Sequence, residues 1–268
     1  MSCTIGTALA EAVAKLRTLA DLPHLEAELL LCHVVGKPRT WLLAWPEKLL
    51  TDHEHDAFQE LVAQREQGVP VAYLTGQREF WSLALNVTPD TLIPRPETEL
   101  LVDKTLQLLQ GLDAPQLLEL GTGTGAIALA LKQQRPDIQL TATDISAEAL
   151  QVARRNAQKH HQQINFIESD WFQSVDGDAL FDVIVSNPPY IAANDPYLTK
   201  GDLPAEPQQA LSSGSSGLEA LQAIIGGAGQ FLKPGGWLVL EHGYDQKSAV
   251  QQLLREQGFD QIQTFNDF

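Results

Sequence analysis

The chain has 268 residues, of which 44% are apolar and 19% charged, a composition typical of a folded protein with one large and one small domain. Its net charge is −16 and it has no run rich in Lys or Arg, so we do not expect it to bind nucleic acid directly. No apolar run is long enough to span a bilayer. The two cysteines, Cys3 and Cys32, have neither metal-ligand spacing nor a disulfide framework. We therefore expect a cytoplasmic protein without a metal site or membrane association.

The first part of the chain has the apolar spacing of helices. Leu25, Leu29 and Val34 recur at helical positions, and Pro23 suits a first helical turn. A polar stretch at residues 52–56 is expected to lead into a further helix. These patterns predict a helical-bundle domain over residues 1–75.

A short hairpin and a stiff bend are predicted next. Residues 79–87 mix aromatic, β-branched and polar side chains, which indicates a β-hairpin, and we assign residues 76–92 to a hairpin linker. The sequence Pro-Arg-Pro-Glu-Thr-Glu follows at residues 94–99. Because a residue before proline favours extended backbone, this segment predicts a bend and then a helix that continues to Leu109.

From Gln116 onward, apolar strands alternate with amphipathic helices. Strands are predicted at residues 116–120, 139–143, 164–168, 183–186 and 237–241, and helices at 126–134, 147–159, 217–232 and 246–257. This alternation predicts an α/β domain over residues 93–268, with a Rossmann-like, mostly parallel, doubly wound sheet. Ligands bind such sheets beyond the carboxyl ends of the strands, so the residues directly after each strand are the functional candidates.

A glycine-rich loop follows the first strand of this domain. Its residues are Gly121, Thr122, Gly123, Thr124 and Gly125. Glycines allow a tight turn and let the backbone approach a ligand closely. Taken alone, the loop could equally be a tight turn between a strand and a helix.

Asp144 strengthens the ligand interpretation. It closes the second strand, where an acidic side chain can accept hydrogen bonds from ribose hydroxyls, although Asp144 or Ser146 could instead cap the next helix. The loop reads Gly-x-Gly-x-Gly and lacks the Gly-Lys-Ser/Thr ending of a phosphate loop, which favours a cofactor without phosphates. S-adenosylmethionine fits, with Glu119 and the loop receiving its amino-acid portion.

Asp170 and Trp171 follow the third strand. Asp170 could accept a hydrogen bond from an adenine amino group, and Trp171 could stack on the ring. The alternative for Trp171 is a core position, which is the commoner role of tryptophan.

The fourth strand ends in Asn187, Pro188, Pro189 and Tyr190, the most specific motif of the chain. The prolines remove backbone donors while their carbonyls and the Asn187 side-chain oxygen remain acceptors. Two acceptors can hold the N–H groups of a planar amide or amine, direct its nitrogen lone pair at a methyl group and stabilise developing positive charge, while Tyr190 fixes the plane. The alternative is a rigid turn after a buried strand.

These motifs together resemble the PrmC/HemK family, the N5-glutamine methyltransferases of class 1 peptide chain release factors. The resemblance covers nearly the whole chain and includes residues 78–81, 92–99, 121–125, 169–172 and 186–190. The Asn-Pro-Pro-Tyr motif also occurs in enzymes that methylate adenine or cytosine amino groups. The segment at 94–99 and the helical N-terminal domain favour the PrmC/HemK family over those enzymes.

The resemblance implies the substrate and the roles of individual residues. The substrate would be the glutamine of the release factor's Gly-Gly-Gln motif, and the enzyme would act as a monomer with its N-terminal domain helping to dock the release factor. Cofactor binding is implied for residues 121–125, Asp144, Trp171 and Asn187. Catalysis is implied for Asn187, Pro188 and Tyr190, and substrate binding for those residues together with Pro189, Arg95, Glu97 and Glu206.

Two departures from the family pattern stand out. Family members often carry an arginine and an aromatic residue before Glu-Pro in the loop after Asn-Pro-Pro-Tyr, whereas this chain reads Leu-Pro-Ala before Glu206. Family chains also continue into a final strand, and we expect the sheet of this chain to lack it.

Three other functions remain open at the level of sequence. The same chemistry could serve a nucleic-acid amino-methyltransferase acting on a flipped base, although the net charge of −16 opposes it. A cofactor-binding module without turnover would leave the Asn187–Tyr190 motif without a use. A small-molecule methyltransferase would leave the helical N-terminal domain unexplained.

Overall fold

The computed structural model describes residues 3–266, which divide into two compact units. The first comprises the chain up to Gln77 together with Thr199–Ala205, and the second comprises Arg78–Leu198 and the chain from Glu206 onward. Among the described residues, no helix has the length and apolarity needed to cross a membrane.

Five helices build most of the first unit. They are α1 (Ile5–Leu16), α2 (Pro23–Val35), α3 (Arg39–Ala44), α4 (Asp52–Glu66) and α5 (Val71–Thr75). Their core contains the fully buried side chains of Leu16, Leu30 and Phe58, as the apolar spacing predicts.

The helix predicted around the polar stretch at residues 52–56 is confirmed, but it begins within that stretch and not after it. Helix α4 begins at Asp52 because Thr51 and Glu54 form a capping box. The Thr51 hydroxyl accepts from the Glu54 N–H at 3.2 Å, and the Glu54 carboxylate accepts from the Thr51 N–H at 2.8 Å.

The segment Thr199–Ala205 joins the helical unit through an ion pair. The Arg65 side chain, only 5% exposed, lies 2.9 Å from Asp202 Oδ1 and 2.7 Å from Glu26 Oε2. A buried guanidinium needs such carboxylate partners, so Asp202 helps to hold this loop segment to α2 and α4.

The second unit contains a two-stranded hairpin followed by alternating helices and strands. These elements are β1 (Gln77–Phe80), β2 (Leu83–Asn86), α6 (Glu99–Leu108), β3 (Gln116–Leu120), α7 (Ala126–Gln134), β4 (Gln139–Asp144), α8 (Ala147–Lys159), β5 (Asn165–Glu168), β6 (Phe181–Ser186), α9 (Gln208–Leu211), α10 (Glu219–Ala228), β7 (Leu232–Leu240) and α11 (Lys247–Glu256). The predicted hairpin and the predicted strand–helix alternation are confirmed.

The five strands after the hairpin form one parallel sheet with the order β5-β4-β3-β6-β7. Its central strands β3 and β6 are buried on both faces, as the apolar runs predict. Since β3 leads outward to β4 and β6 leads outward to β7, the sheet has its switch point between β3 and β6. No strand follows β7 within residues 3–266.

A buried asparagine joins the hairpin to the glycine loop. The Oδ1 of Asn156, on α8, accepts from the Asn86 N–H at 2.8 Å, and its Nδ2 donates to the carbonyls of Asn86 and Thr124, each at 2.9 Å. Asn156 is fully buried, so its removal leaves three backbone groups without a partner.

We expect Asn156→Ala to lower the free energy of unfolding by about 1–3 kcal/mol, because unsatisfied buried polar groups carry that penalty. Urea unfolding followed by circular dichroism measures it. The matched control is Asn165→Ala, which removes an exposed amide and should change stability by less than about 0.5 kcal/mol. Equal stability of the two variants would show that the Asn156 bonds contribute nothing.

Candidate active site

The glycine loop lies at the carboxyl end of β3 and has the backbone that its sequence requires. Gly121, Gly123 and Gly125 have φ values of 72°, 55° and 81°, in the left-handed region that favours glycine. A Cβ at Gly125 would lie 3.4 Å from Ala153 Cβ, whereas a Cβ at Gly123 would meet nothing within 4 Å. The loop therefore packs on α8 at one end and is open at its centre.

Glu119 lies beneath this loop and is 1% exposed. Its Oε2 accepts from the Thr122 hydroxyl at 2.8 Å, while its Oε1 has no hydrogen-bond partner. Burial raises the pKa of Glu119 to about 8, although the bond from Thr122 favours the charged form. A buried carboxyl oxygen without a partner is available to a positively charged ligand group.

Asp144 holds the glycine loop in place and does not cap a helix. Its Oδ2 accepts from the Gly123 N–H at 2.8 Å, and its Oδ1 accepts from the Ser146 N–H at 2.9 Å. Helix α8 is capped by Ser146, whose hydroxyl accepts from the Ala149 N–H at 3.0 Å. Burial raises the pKa of Asp144.

Two hydrophobic side chains lie near the open loop. Trp171 has a φ of 49°, and its indole Cζ3 would be 3.8 Å from a Cβ on Gly121. The same side chain also packs against the core around Phe181, as the core alternative predicted, and its stacking on a ring stays a prediction. Ile145, directly after Asp144, is 61% exposed.

Asp170 lies between β5 and Trp171. Its Oδ2 accepts from the Gln173 side chain at 2.8 Å. This contact is local to the segment after β5, and the bond from Asp170 to an adenine amino group stays a prediction.

The Asn187–Tyr190 motif lies at the carboxyl end of β6, next to β3. The Asn187 Nδ2 donates to the Thr98 hydroxyl oxygen at 3.0 Å, and the Tyr190 hydroxyl donates to Glu241 Oε1 at 3.2 Å. Pro188 is buried, whereas Asn187, Pro189 and Tyr190 are half-buried. The motif is thus anchored by side-chain hydrogen bonds at both of its ends.

Burial also changes the proton affinity of the groups around this motif. It raises the pKa of Tyr190, an effect that the neighbouring Glu241 carboxylate strengthens. Burial raises the pKa of Glu241 as well, and a hydrogen bond from the Thr98 hydroxyl at 2.8 Å opposes that rise.

Glu206 is buried and binds the Pro-Arg-Pro segment through Ile93 and Arg95. Its buried carboxylate accepts from the Ile93 N–H at 2.9 Å and forms an ion pair with Arg95. Arg95 is partly exposed and Glu97 is exposed, so these two side chains, and not Glu206, can reach a substrate directly.

Sequence reasoning missed Thr98, Glu241 and Ile145 as site residues. Glu241 directly follows β7 and Ile145 follows β4, so both obey the rule that functional residues follow strands. Thr98 belongs to the bend before α6, and its hydrogen bond with Asn187 is what identifies it as a residue of the site.

The site fits S-adenosylmethionine on the chemistry of its residues. The open Gly123 backbone can receive a ligand, the unpartnered Glu119 Oε1 suits an amino group, and the Asp144 carboxylate suits hydroxyl groups. The exposed Ile145 side chain offers an apolar surface for a ring. Among the described residues, no group of three His, Cys, Asp or Glu side chains could hold a metal ion.

Solved structures share this fold. The chain is similar to the hMettl16 catalytic domain in complex with MAT2A 3′UTR hairpin 1, with a TM-score of 0.55 and 17% identity over 75% of this chain and 74% of that one. It is also similar to the Thermus thermophilus 16S rRNA N2 G1207 methyltransferase in complex with AdoMet and guanosine, with a TM-score of 0.52 and 19% identity over 68% and 44% of the two chains. The fold and the site define an S-adenosylmethionine-dependent methyltransferase.

Family models and full-length relatives narrow this class. The PrmC N-terminal domain model matches residues 7–76, and the methyltransferase small domain model matches residues 97–216. A release factor glutamine methyltransferase of Vibrio cholerae is 47% identical over all of this chain and 94% of its own length, and one of Xylella fastidiosa is 48% identical over 92% and 90%. The chain belongs to the release factor glutamine methyltransferase family, as its motifs indicated.

Proposed function

We propose that this enzyme transfers a methyl group from S-adenosylmethionine to the side-chain amide nitrogen, N5, of the glutamine in the Gly-Gly-Gln motif of class 1 peptide chain release factors. The observation that carries the proposal is the anchored Asn187 amide at the end of β6, beside the glycine loop at the end of β3. The printed names of the full-length relatives support the same substrate.

The mechanism depends on orienting a poor nucleophile. The lone pair of an amide nitrogen is delocalised, so the target N–H groups must be held by acceptors that direct this lone pair. Asn187 Oδ1 and the Pro188 carbonyl oxygen are the acceptors that we assign to these N–H groups, and they also stabilise positive charge that develops on nitrogen. When bound, S-adenosylmethionine would supply an electrophilic methyl group and leave as S-adenosylhomocysteine, while the methylated nitrogen would give up one N–H proton.

Tyr190 and the rigid prolines keep this geometry. The prolines restrict the backbone of residues 187–190, and the Tyr190 hydroxyl is held by Glu241, which fixes the ring as a flat surface for the glutamine amide. Precise orientation of two reacting groups can contribute about 7–11 kcal/mol to catalysis in favourable systems.

The remaining site residues receive proposed roles on the same basis. We assign cofactor binding to Glu119, to residues 121–125, and to Asp144, Asp170, Trp171 and Asn187. Arg95 and Glu97 are proposed to contact the release factor, and Glu206 to hold Arg95 in place.

We further propose that the helical unit docks the release factor and that the enzyme acts as a cytoplasmic monomer. The helical unit carries large exposed apolar side chains, among them Leu22, Leu43 and Trp45, which are 61%, 64% and 51% exposed. Such side chains are common at protein-binding surfaces.

Replacement of Asp144 by alanine should weaken cofactor affinity by about 1.5–3 kcal/mol, because hydrogen bonds to a charged acceptor are lost. Calorimetric titration with S-adenosylmethionine measures the change. Ser146→Ala separates the two structural roles, since it removes the helix cap of α8 and should reduce stability but not affinity. Unchanged affinity of a folded Asp144→Ala protein would remove Asp144 from the cofactor site.

A substrate-specificity assay tests the proposal against the main alternative, a nucleic-acid amino-methyltransferase. Purified enzyme and methyl-labelled cofactor are offered release factor, duplex DNA, single-stranded DNA and structured RNA in separate reactions. We expect label on the release factor alone, because a chain with a net charge of −16 repels phosphate backbones. Transfer to nucleic acid without transfer to release factor would overturn the proposal.

A further inference from the structure

Four side chains from distant parts of the sequence form one hydrogen-bonded chain behind the substrate motif. The Thr98 hydroxyl donates to Glu241 Oε2 at 2.8 Å, the Tyr190 hydroxyl donates to Glu241 Oε1 at 3.2 Å, and Asn187 Nδ2 donates to Thr98 Oγ1 at 3.0 Å. Thr98 is 5% exposed, so water cannot easily replace these partners.

The direction of this chain follows from counting protons. A hydroxyl group has one proton, and the Thr98 hydroxyl donates that proton to Glu241 Oε2. Because Thr98 gives its proton to Glu241, its oxygen can only accept from Asn187. The Asn187 NH₂ group must therefore face Thr98, which leaves Asn187 Oδ1 facing away.

The same orientation is what the proposed reaction requires. The target amide nitrogen carries two N–H donors, so an Asn187 amide turned the other way would place its own N–H groups against them. An asparagine amide has nearly the same shape in both orientations, and sterics alone would not choose between them.

We propose that Thr98 and Glu241 are positioning residues that hold the Asn187 side-chain amide with Oδ1 toward the target glutamine. This inference rests on the proposed function and deepens it. Neither residue contacts the reacting atoms, and both act through Asn187. The Tyr190 hydroxyl donates to the other carboxylate oxygen, Oε1. Glu241 therefore holds Asn187, through Thr98, and Tyr190 at the same time.

Two variants abolish the fixed donor–acceptor direction of this hydrogen-bonded chain while changing the shapes of the side chains little. Thr98→Val deletes the hydroxyl and keeps the side-chain volume. Thr98 and Tyr190 donate to different oxygens of Glu241, and Glu241→Gln replaces one of these two acceptors with an NH₂ group. That NH₂ group can donate to Thr98 and so reverse the hydrogen-bonded chain. In each variant we expect the single-turnover rate of methyl transfer at saturating cofactor to fall about 10–100-fold, since one oriented polar group is lost.

Two further variants serve as matched controls. Thr98→Ser restores the hydroxyl and should keep the rate within about threefold of wild type, because the hydrogen bonds remain. Thr105→Val removes a fully buried hydroxyl on α6 that donates only to the Leu101 carbonyl, so it should reduce stability without reducing the rate. Cofactor affinity by calorimetry should be similar in all four proteins.

A direct readout of the Asn187 amide needs neither cofactor nor substrate. Its side-chain N–H resonances are assigned by their loss in Asn187→Ala, and their exchange with solvent is measured. We expect slow exchange in wild type and Thr98→Ser, and fast exchange in Thr98→Val.

The outcomes separate this inference from the proposed function. Wild-type protein that fails to methylate release factor would overturn the proposed function. If wild type is active, wild-type rates and slow Asn187 exchange in folded Thr98→Val and Glu241→Gln would overturn the inference. A lower rate with protected exchange would also contradict it, because the residues would then act by another route.

Discussion

Asn187→Ala is expected to reduce single-turnover methyl transfer to release factor by about 10²–10³, the typical effect of removing one preorganised polar group. The substitution removes the acceptor assigned to the target N–H and leaves the Thr98 hydroxyl oxygen without its donor. The assay uses saturating cofactor, because Asn187 is also proposed to lie in the cofactor site. Circular dichroism confirms that the variant is folded.

Aspartate should not restore this activity. Asn187→Asp keeps an acceptor but loses the N–H that donates to Thr98, and it places a second carboxylate near Glu241, whose pKa is already raised. Two carboxylates close together disfavour each other's ionised forms.

A matched control for Asn187 lies in the loop that follows. Asn194 is exposed, and Asn194→Ala should keep the wild-type rate. Wild-type activity of a folded Asn187→Ala protein would mean that Asn187–Tyr190 is a structural turn and that the proposed mechanism is wrong.

Gly217→Ala is expected to have the second largest effect, although Gly217 belongs to no motif. Its φ is +76°, and a Cβ there would lie 2.5 Å from the Tyr190 carbonyl oxygen and 3.0 Å from the Ala192 nitrogen. Gln246 Nε2 donates to that same Tyr190 oxygen at 2.8 Å. The added methyl group must therefore displace the backbone that ends the substrate motif.

The displacement should reduce the transfer rate by about 10², since a shift of about 1 Å in a positioned group can have that effect. The left-handed backbone alone should cost about 1–2 kcal/mol of stability. Gly258→Ala is the control, because its φ is +81° but a Cβ there meets nothing within 4 Å. Equal rates in the two variants would show that the contact with Tyr190 has no influence on catalysis.

The parallel sheet could be predicted because its central strands are continuous apolar runs and its helices have clear starting signals. The predictions for β3, α7 and α8 match the structure to the residue. The start of β7 was missed by five residues, because Pro234, Gly235 and Gly236 are typical of a turn. They lie between Leu232, which pairs with Phe181, and Trp237, which pairs with Val183, where the register of the strands shifts. A Cβ on Gly236 would lie 3.1 Å from the Phe181 carbonyl oxygen.

Part of the site could be predicted from the positions of the strands. Asp144, the glycine loop and Asn187 follow strands directly, and parallel strands bring such residues to one edge of the sheet. Thr98 could not be found in this way, because its role depends on meeting Asn187, 89 positions later, and Glu241, 143 positions later. The clustering of Thr199–Ala205 with the helical unit could not be predicted either, since the Arg65–Asp202 ion pair within it joins residues far apart in the sequence.

The most direct test of the proposed function is mass spectrometry of a class 1 release factor after incubation with this enzyme and S-adenosylmethionine. We expect one added methyl group, located by fragmentation on the side chain of the glutamine in the Gly-Gly-Gln motif, and far less of it after an equally brief incubation with the Asn187→Ala variant. An unmodified glutamine, or a methyl group on another residue, would contradict the proposed function.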